Sequence, residues 1–238
     1  MDKSRAGQNL TQQLVHSLGT SIIQGVYPEG GGLPSEAELC EQFDISRSAT
    51  REAVKMLTAK GLLSSRPRQG IRVLPRANWN MFDPDVLSWI LKSTLTLQLL
   101  KEFLQLRFAI EPEASALAAE HQDPEGIKRI KTALERMVAA EEGRDDPLEA
   151  DIDFHISILM ASNNPFYQQL RSFTDTALRV SIRFTNRIKG VRAADHLSHE
   201  VIYDAIAAGD INRAREASRA LQTDALNLIK LELDKENA

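Results

Sequence analysis

A chain of 238 residues is long enough for two domains, each with its own core, and its 42% hydrophobic and 26% charged content is that of an ordinary globular protein. No apolar run approaches a membrane span and residues 1–20 lack the apolar stretch of a secretory signal, so the expected setting is cytoplasmic, with no membrane partner. The net charge of −4 argues at first against nucleic acid, but residues 1–75 carry nine Lys/Arg against seven Asp/Glu, leaving the remainder at −6, so DNA contact would fall in the first third.

Residues 8–25 read as a helix with Leu14, Val15, Leu18, Ile22 and Ile23 on one face. The glycine-rich stretch from Tyr27 to Gly32 breaks it. Ser35 with Glu38 forms a capping box for a short helix to about Phe43. Cys40, the lone cysteine, shares an apolar slot of that helix with Leu39 and Phe43 and is read as core; it excludes an internal disulfide. After a tight turn at Asp44–Ile45, Ser46 caps a second helix that stops at Gly61. Two short strands, Leu62–Ser64 and Ile71–Val73, flank a basic tip of Arg66, Pro67, Arg68, Gln69 and Gly70.

The irregular stretch from Leu74 to Phe82 marks a boundary, and the pattern afterwards is helical throughout. Asp83 before Pro84 caps one helix. Leu97–His121 forms a long one that Pro112 is expected to kink. Asp123, Asp146 and Asn164, each followed by proline, open three more, and Asp195 and Asp210 open the last two. The expected fold class is mainly α: a winged helix-turn-helix domain at 8–75, a linker and connecting helix at 76–96, and an antiparallel all-helical bundle at 97–235.

In a helix-turn-helix the second helix enters the major groove and its N-terminal side chains reach bases and phosphates. Here that helix begins Ser46-Arg47-Ser48-Ala49-Thr50-Arg51. Arg47 and Arg51 lie one turn apart on a polar face, while Val54 and Leu57 turn inward. Arginine reads guanine with two hydrogen bonds and also binds phosphate. Ser46 offers a hydroxyl to a phosphate, and the hairpin tip can follow the adjacent backbone. Each feature alone is also compatible with a solvated face or a structural ribbon; their order favours double-stranded DNA.

In the rear region Asp151 and His155 are four apart on one helix, and His155 belongs to the inward stripe Leu148, Ile152, His155, Leu159. His199 shares an inward face with Ile202 and Ile206. One carboxylate and two imidazoles inside a bundle suit a divalent cation, zinc or similar. An inward histidine is also commonly a hydrogen-bonded core residue, and an Asp151–His155 pair would satisfy both groups without metal.

Leu33-Pro34-Ser35-Glu36, Glu38-Leu39, Ser46-Arg47, Thr50-Arg51-Glu52-Ala53, Leu57, Gly61-Leu62 and Gly70 resemble the winged helix of GntR-type transcription regulators. The resemblance implies DNA contacts by Ser46, Arg47 and Arg51, with Gln69 and Gly70 as the wing contact. Many relatives carry arginine where this chain has Ala37, so one DNA contact is missing. Leu106-Arg107, Ile110-Glu111-Pro112, Asp151-x-x-Phe154-His155, Ser162-x-Asn164-Pro165 and His199-x-x-Ile202 resemble the effector domain of the FadR-like subfamily. That likeness implies a metal held by Asp151, His155 and His199 beside a small carboxylate effector, with Arg107 as carboxylate anchor. Arg179 and Arg183, near a seam running from Phe166 to Phe184, are secondary candidates. Where the subfamily places a fourth ligand in the last helix, this chain has Leu221, with Gln222 expected to point away. Pro75-Arg76-x-x-Trp79-Asn80 and Asp83-x-Asp85-Val86-Leu87-x-Trp89 are similar to regulators of sugar-acid operons, those of galactonate included.

These readings converge on a homodimeric repressor, not an enzyme, released from operator DNA by a sugar acid. Three alternatives stay open: a metal-dependent helical-bundle hydrolase using Asp151, His155 and His199; a regulator answering to metal or another carboxylate; and a dimeric scaffold whose winged helix binds protein.

Overall fold

A computed structural model describes residues 10–93, 95–192 and 194–236. They form two compact units divided between Thr94 and Leu95. The first holds α1 (Leu10–Ile23), α2 (Glu36–Phe43), α3 (Arg47–Ala59), β1 (Leu63–Arg66), β2 (Gly70–Val73), a 3-10 turn at Arg76–Asn78, and α4 (Pro84–Ser93). The second holds α5 (Leu97–His121), α6 (Pro124–Glu141), α7 (Pro147–Ala161), α8 (Pro165–Gln169), α9 (Arg171–Lys189), α10 (His196–Ala207) and α11 (Ile211–Glu236). No described helix is long and apolar enough to cross a membrane.

In the first unit α1 buries Leu14, Val15, Leu18, Ile22 and Ile23, the five residues of its apolar face; residues 8 and 9, expected in the same helix, lie outside the described residues. The Ser35–Glu38 capping box holds the start of α2. Leu39 is fully buried, whereas Cys40 is only half-buried, its Sγ 3.2 Å from Thr50 Oγ1 on α3. Ser46 caps α3, which turns Ala53, Val54 and Leu57 inward. β1 and β2 pair antiparallel, Leu63 opposite Val73 and Arg66 opposite Gly70. The glycine-rich stretch does more than interrupt α1: Gly30 N and Leu33 N donate to Val73 O and Ile71 O, so it lies along the free edge of β2.

The stretch expected as linker and connecting helix is packed structure as far as Ser93. Trp79 is buried and its Nε1 donates to Leu74 O at 3.0 Å. Asp83 caps α4 through the amides of Asp85 and Val86. The ammonium of Lys60, at the end of α3, bonds both Asp83 oxygens and Asp85 Oδ2 at 2.8 Å. Burial alone would lower the Lys60 pKa, but these carboxylates outweigh it and raise it. The Trp89 ring covers Gly19 of α1, and its Nε1 donates to His16 Nδ1 at 2.9 Å.

In the second unit the helix starts follow their local caps. Asp123, Asp146 and Asn164 each accept from first-turn amides with proline at the next position, as Asp195 and Asp210 do without proline. α5 continues through Pro112 from Leu97 to His121. The apolar core centres on Phe154, Ile158 and Leu159 of α7 packed against Ile130 and Leu134 of α6 and Ile202 and Ile206 of α10. The helix expected to run on from Asn164 is two helices, because the chain turns at Leu170 between α8 and α9. That turn re-registers α9: its buried face is Phe173, Thr174, Ala177, Leu178, Ser181 and Ile182, and Phe166 is 80% exposed on α8.

Gly61 ends α3 with φ +78, and a Cβ there would lie 2.1 Å from Asn78 O. Gly61→Ala therefore combines a left-handed conformation, costing roughly 1–2 kcal/mol, with a backbone clash that no rotamer relieves. Both tryptophans, Trp79 and Trp89, lie in the first unit. The expected outcome is loss of at least ~2 kcal/mol in denaturant unfolding followed by tryptophan fluorescence, with little change in the second unit's unfolding followed by circular dichroism.

Candidate functional site

Two surfaces concentrate the chemistry, one in each unit. On the first, Ser46, Arg47 and Arg51 are exposed along the N-terminal half of α3. The Ser46 hydroxyl accepts from Ala49 N at 3.3 Å and lies 3.0 Å from Ser48 Oγ, so it is already employed as the helix cap. Arg51 Nε donates to Glu36 Oε2 at 2.8 Å, which holds the guanidinium beside α2 and raises its pKa through that bond and the Glu36 charge. Lys55 continues the same exposed stripe one turn on, a residue the sequence reading passed over. At the hairpin tip Gln69 N donates to Arg66 O, and Arg68 and Gly70 take positive φ of 66° and 73°. Arg66, Arg68, Gln69 and Gly70 are all exposed there. Arg47, Arg51 and Lys55 thus form a cationic ridge on the helix that follows the turn, with a cationic tip on the neighbouring hairpin.

In the second unit Arg107 and Glu111 of α5, Asp151 and His155 of α7, His199 of α10 and Gln222 of α11 are all buried. Arg107 Nε and Nη2 donate to Glu111 Oε1 and Oε2 at 2.5 and 3.1 Å. Glu111 Oε2 also accepts from Gln222 Nε2 at 2.5 Å and lies 2.9 Å from His155 Nδ1. Burial alone would raise the Glu111 carboxyl; Arg107 first and His155 second outweigh it and bring its pKa to about 2. The carboxylate is therefore charged, and its oxygens are fully employed.

Each imidazole has one nitrogen tied outward and one facing Asp151. His199 Nδ1 lies 2.8 Å from Asp195 O and acts as the donor there, since a carbonyl only accepts. Its Nε2 lies 3.6 Å from Asp151 Oδ1. His155 Nδ1 faces Glu111, and its Nε2 lies 3.2 Å from the same Asp151 Oδ1. Burial would lower the His155 pKa, but the Glu111 charge, opposed by Arg107, and bonds to Asp151 and Glu111 raise it. Burial would likewise raise Asp151, but its interactions with His155 and His199 hold it well below the ordinary carboxylate range. Asp151 Oδ1 is buried without a well-aligned hydrogen bond. Metal-binding histidines have this architecture, with the outer nitrogen on an oxygen and the inner one converging with a carboxylate. One ligand atom from each of Asp151, His155 and His199 lies within 4.8 Å of the others. The three residues fit a divalent cation.

The cluster opens on a cavity of about 60 Å³, space for a few waters. Thr185, Asn186 and Lys189 of α9 and Leu221 and Gln222 of α11 complete its wall. Gln222 therefore faces the site instead of pointing away from it. Arg179 and Arg183 do not reach it: they line a separate groove with Val180 and Phe184, and Arg179 is held by Glu149 and Asp175. His196 pairs with Glu141 at the end of α6, away from the cavity lining. Sequence reading missed a role for Glu111 and Gln222; the one available signal was the Arg107–Glu111 spacing of four on a helix.

Comparison with known proteins follows this division. The profile described as bacterial regulatory proteins, gntR family, matches residues 10–73, and the FCD domain profile matches residues 102–223. The chain is 33% identical to the galactonate operon transcriptional repressor of Escherichia coli (strain K12), over 93% of this chain and 97% of that protein. It is 38% identical to the uncharacterised helix-turn-helix regulator YieP of the same strain, covering 91% of this chain and 94% of that protein. The solved structure of Lar, which controls the Listeria monocytogenes agr system, matches with a TM-score of 0.59 over 94% of this chain and 97% of that one. At 18% identity, that likeness concerns the fold alone.

Because Arg107 is buried and its fork is filled by Glu111, removing the carboxylate strands a charge. Glu111→Ala is expected to cost about 3–5 kcal/mol of stability in the second unit. Joint replacement by Met at 107 and Leu at 111 should recover most of that loss. Denaturant unfolding followed by circular dichroism measures both.

Proposed function

Since this chain belongs to the gntR family of bacterial regulatory proteins and carries an FCD domain behind its winged helix, we propose that it is a homodimeric repressor released from its operator by a small sugar acid. Its family is one of DNA-binding transcription regulators and not of enzymes, so the hydrolase alternative has no support there. The observation that carries the sugar-acid reading is the relation to the galactonate operon repressor along almost its whole length. The DNA reading rests on the exposed ridge of Arg47, Arg51 and Lys55, with Ser46 presenting the helix start and Gln69 and Gly70 the tip of the wing. Arg51 must exchange its bond to Glu36 for phosphate or base.

In the rear unit a divalent cation, zinc or similar, would be held by Asp151, His155 and His199. It would supply a Lewis-acidic centre for effector oxygens. The charge balance supports joint recognition. With His155 protonated, Arg107 and His155 balance Glu111 and Asp151. Substituting a divalent cation for that proton leaves one positive charge in excess, and Lys189 on the cavity wall adds a second, a field that favours a carboxylate. Arg107 contributes to that positive field while remaining paired with Glu111. The cavity of about 60 Å³ is far below the ~300 Å³ at the low end of ligand pockets. A hexonate therefore enters only if the wall of Thr185, Asn186 and Lys189 moves. Such a displacement of α9 is what would make the effector selective between two states of the repressor.

Fluorescence anisotropy with the protein's own promoter DNA and with random duplex, across a salt series, tests the DNA half. Arg47→Ala and Arg51→Ala should lose the preference for promoter DNA while keeping wild-type melting. Lys55→Ala should weaken binding to all sequences and flatten the log–log salt slope by about 0.9. Equal affinity for promoter and random duplex at every salt concentration would sink the operator reading. For the effector half, thermal shift with aldonates and uronates, with and without zinc, should show stabilisation of about 2.7 kcal/mol at a hundredfold excess over Kd. It should also show loss of that response in Asp151→Ala.

A further inference from the structure

The buried cluster contains a group that neither the ion pairs nor the histidine geometry employs. Gln222 of α11 is 1% exposed, and its Nε2 donates to Glu111 Oε2 at 2.5 Å. A carboxylate accepts and cannot donate, so the orientation of the amide is set by chemistry: nitrogen toward Glu111, carbonyl oxygen at the opposite end. That Oε1 is buried and accepts from no protein donor among the described residues, and Asp151 Oδ1, though 3.2 and 3.6 Å from the two imidazole Nε2 atoms, has no well-aligned donor either. Both residues line the same cavity, together with His155 and His199. A folded protein rarely leaves two buried acceptors unfilled in the lining of one cavity, and there both imidazole Nε2 atoms approach Asp151 Oδ1, at 3.2 and 3.6 Å.

We propose that Gln222 is the fourth protein ligand of the cation site, through its Oε1. The inference rests on the reading of Asp151, His155 and His199 as cation ligands and assigns what completes them. Leu221 offers no donor; the next residue does, and Glu111 holds it in place by its amide nitrogen. Two imidazole nitrogens, one carboxylate oxygen and one amide oxygen form a mixed set that accepts zinc, cobalt, nickel or manganese. An amide oxygen is a poorer donor to zinc than imidazole. The site should therefore bind zinc more weakly than it would with a third histidine, and exchange it more readily.

The experiment uses the full-length protein, stripped by chelator and titrated with Zn²⁺ in competition with a chromophoric chelator, and with Co²⁺ for its visible absorption. Asp151→Asn should abolish binding. Gln222→Leu, which keeps the volume, should weaken Zn²⁺ by about 10–100-fold and change the intensity and position of the Co²⁺ bands. Gln222→His should tighten Zn²⁺ beyond wild type. Gln222→Leu with wild-type affinity and an unchanged Co²⁺ spectrum, while Asp151→Asn is inactive, overturns the role of Gln222 and leaves the three-residue cation site standing. Absence of any Zn²⁺ or Co²⁺ binding by wild type removes both. If Gln222→Leu does not fold, Gln222→His decides, because an unaltered Co²⁺ spectrum there also overturns the assignment.

Discussion

Glu111 is a carboxylate with almost no access to water, and a charge so placed persists only if its surroundings return what hydration would have given. Arg107, His155 and Gln222 do this from three helices, α5, α7 and α11. The rest of the second unit depends on that constraint. It ties Arg107 to its own helix, orients His155 so that its other nitrogen faces Asp151, and sets the Gln222 amide with its nitrogen toward Glu111. The cavity exists because these groups are held by one another and cannot collapse inward. Phe154 adds to this order, its ring meeting both His155 and His199 edge-on.

The residues that most narrowly resemble sugar-acid regulators have jobs inside the first unit. Trp79 closes on Leu74 O, Asp83 and Asp85 hold Lys60, and Trp89 packs on α1. That motif describes how α4 is seated on α1 and tied to the end of α3, so its presence says how the DNA-reading head is braced and little about the effector. The case for a sugar acid therefore rests on the relative that matches along the whole chain, whose effector domain is compared as well.

What could be read from the sequence was local. Helix starts at Pro84, Pro124, Pro147 and Pro165 are written in an Asp or Asn followed by proline, and the start of α3 in Ser46. Arg47, Arg51, Asp151, His155 and His199 were found by spacing on single helices. The break at Leu170 carries no proline or glycine, so α8 and α9 read as one helix, whereas Phe166 lies exposed on α8 outside the inward seam. On α11 the spacing of Ile211, Ala214, Leu221 and Leu228 suggests one apolar inner line. The structure instead buries Ala214, Ser218, Gln222, Leu226 and Ile229, with Gln222 held inward by its bond to Glu111. Glu111 could not be assigned from its neighbours, since its partners His155 and Gln222 are 44 and 111 positions further along the chain.

Trp89 can lie over α1 only because residue 19 has no side chain; a Cβ there would sit 2.3 Å from the indole. The two positions therefore share one volume, and neither is free to evolve alone. A side chain at position 19 would require a smaller residue than tryptophan at position 89. Enlarging residue 19 alone would push the indole away and loosen the seating of α4 on α1. Two residues seventy positions apart in the chain are thus coupled through one shared volume.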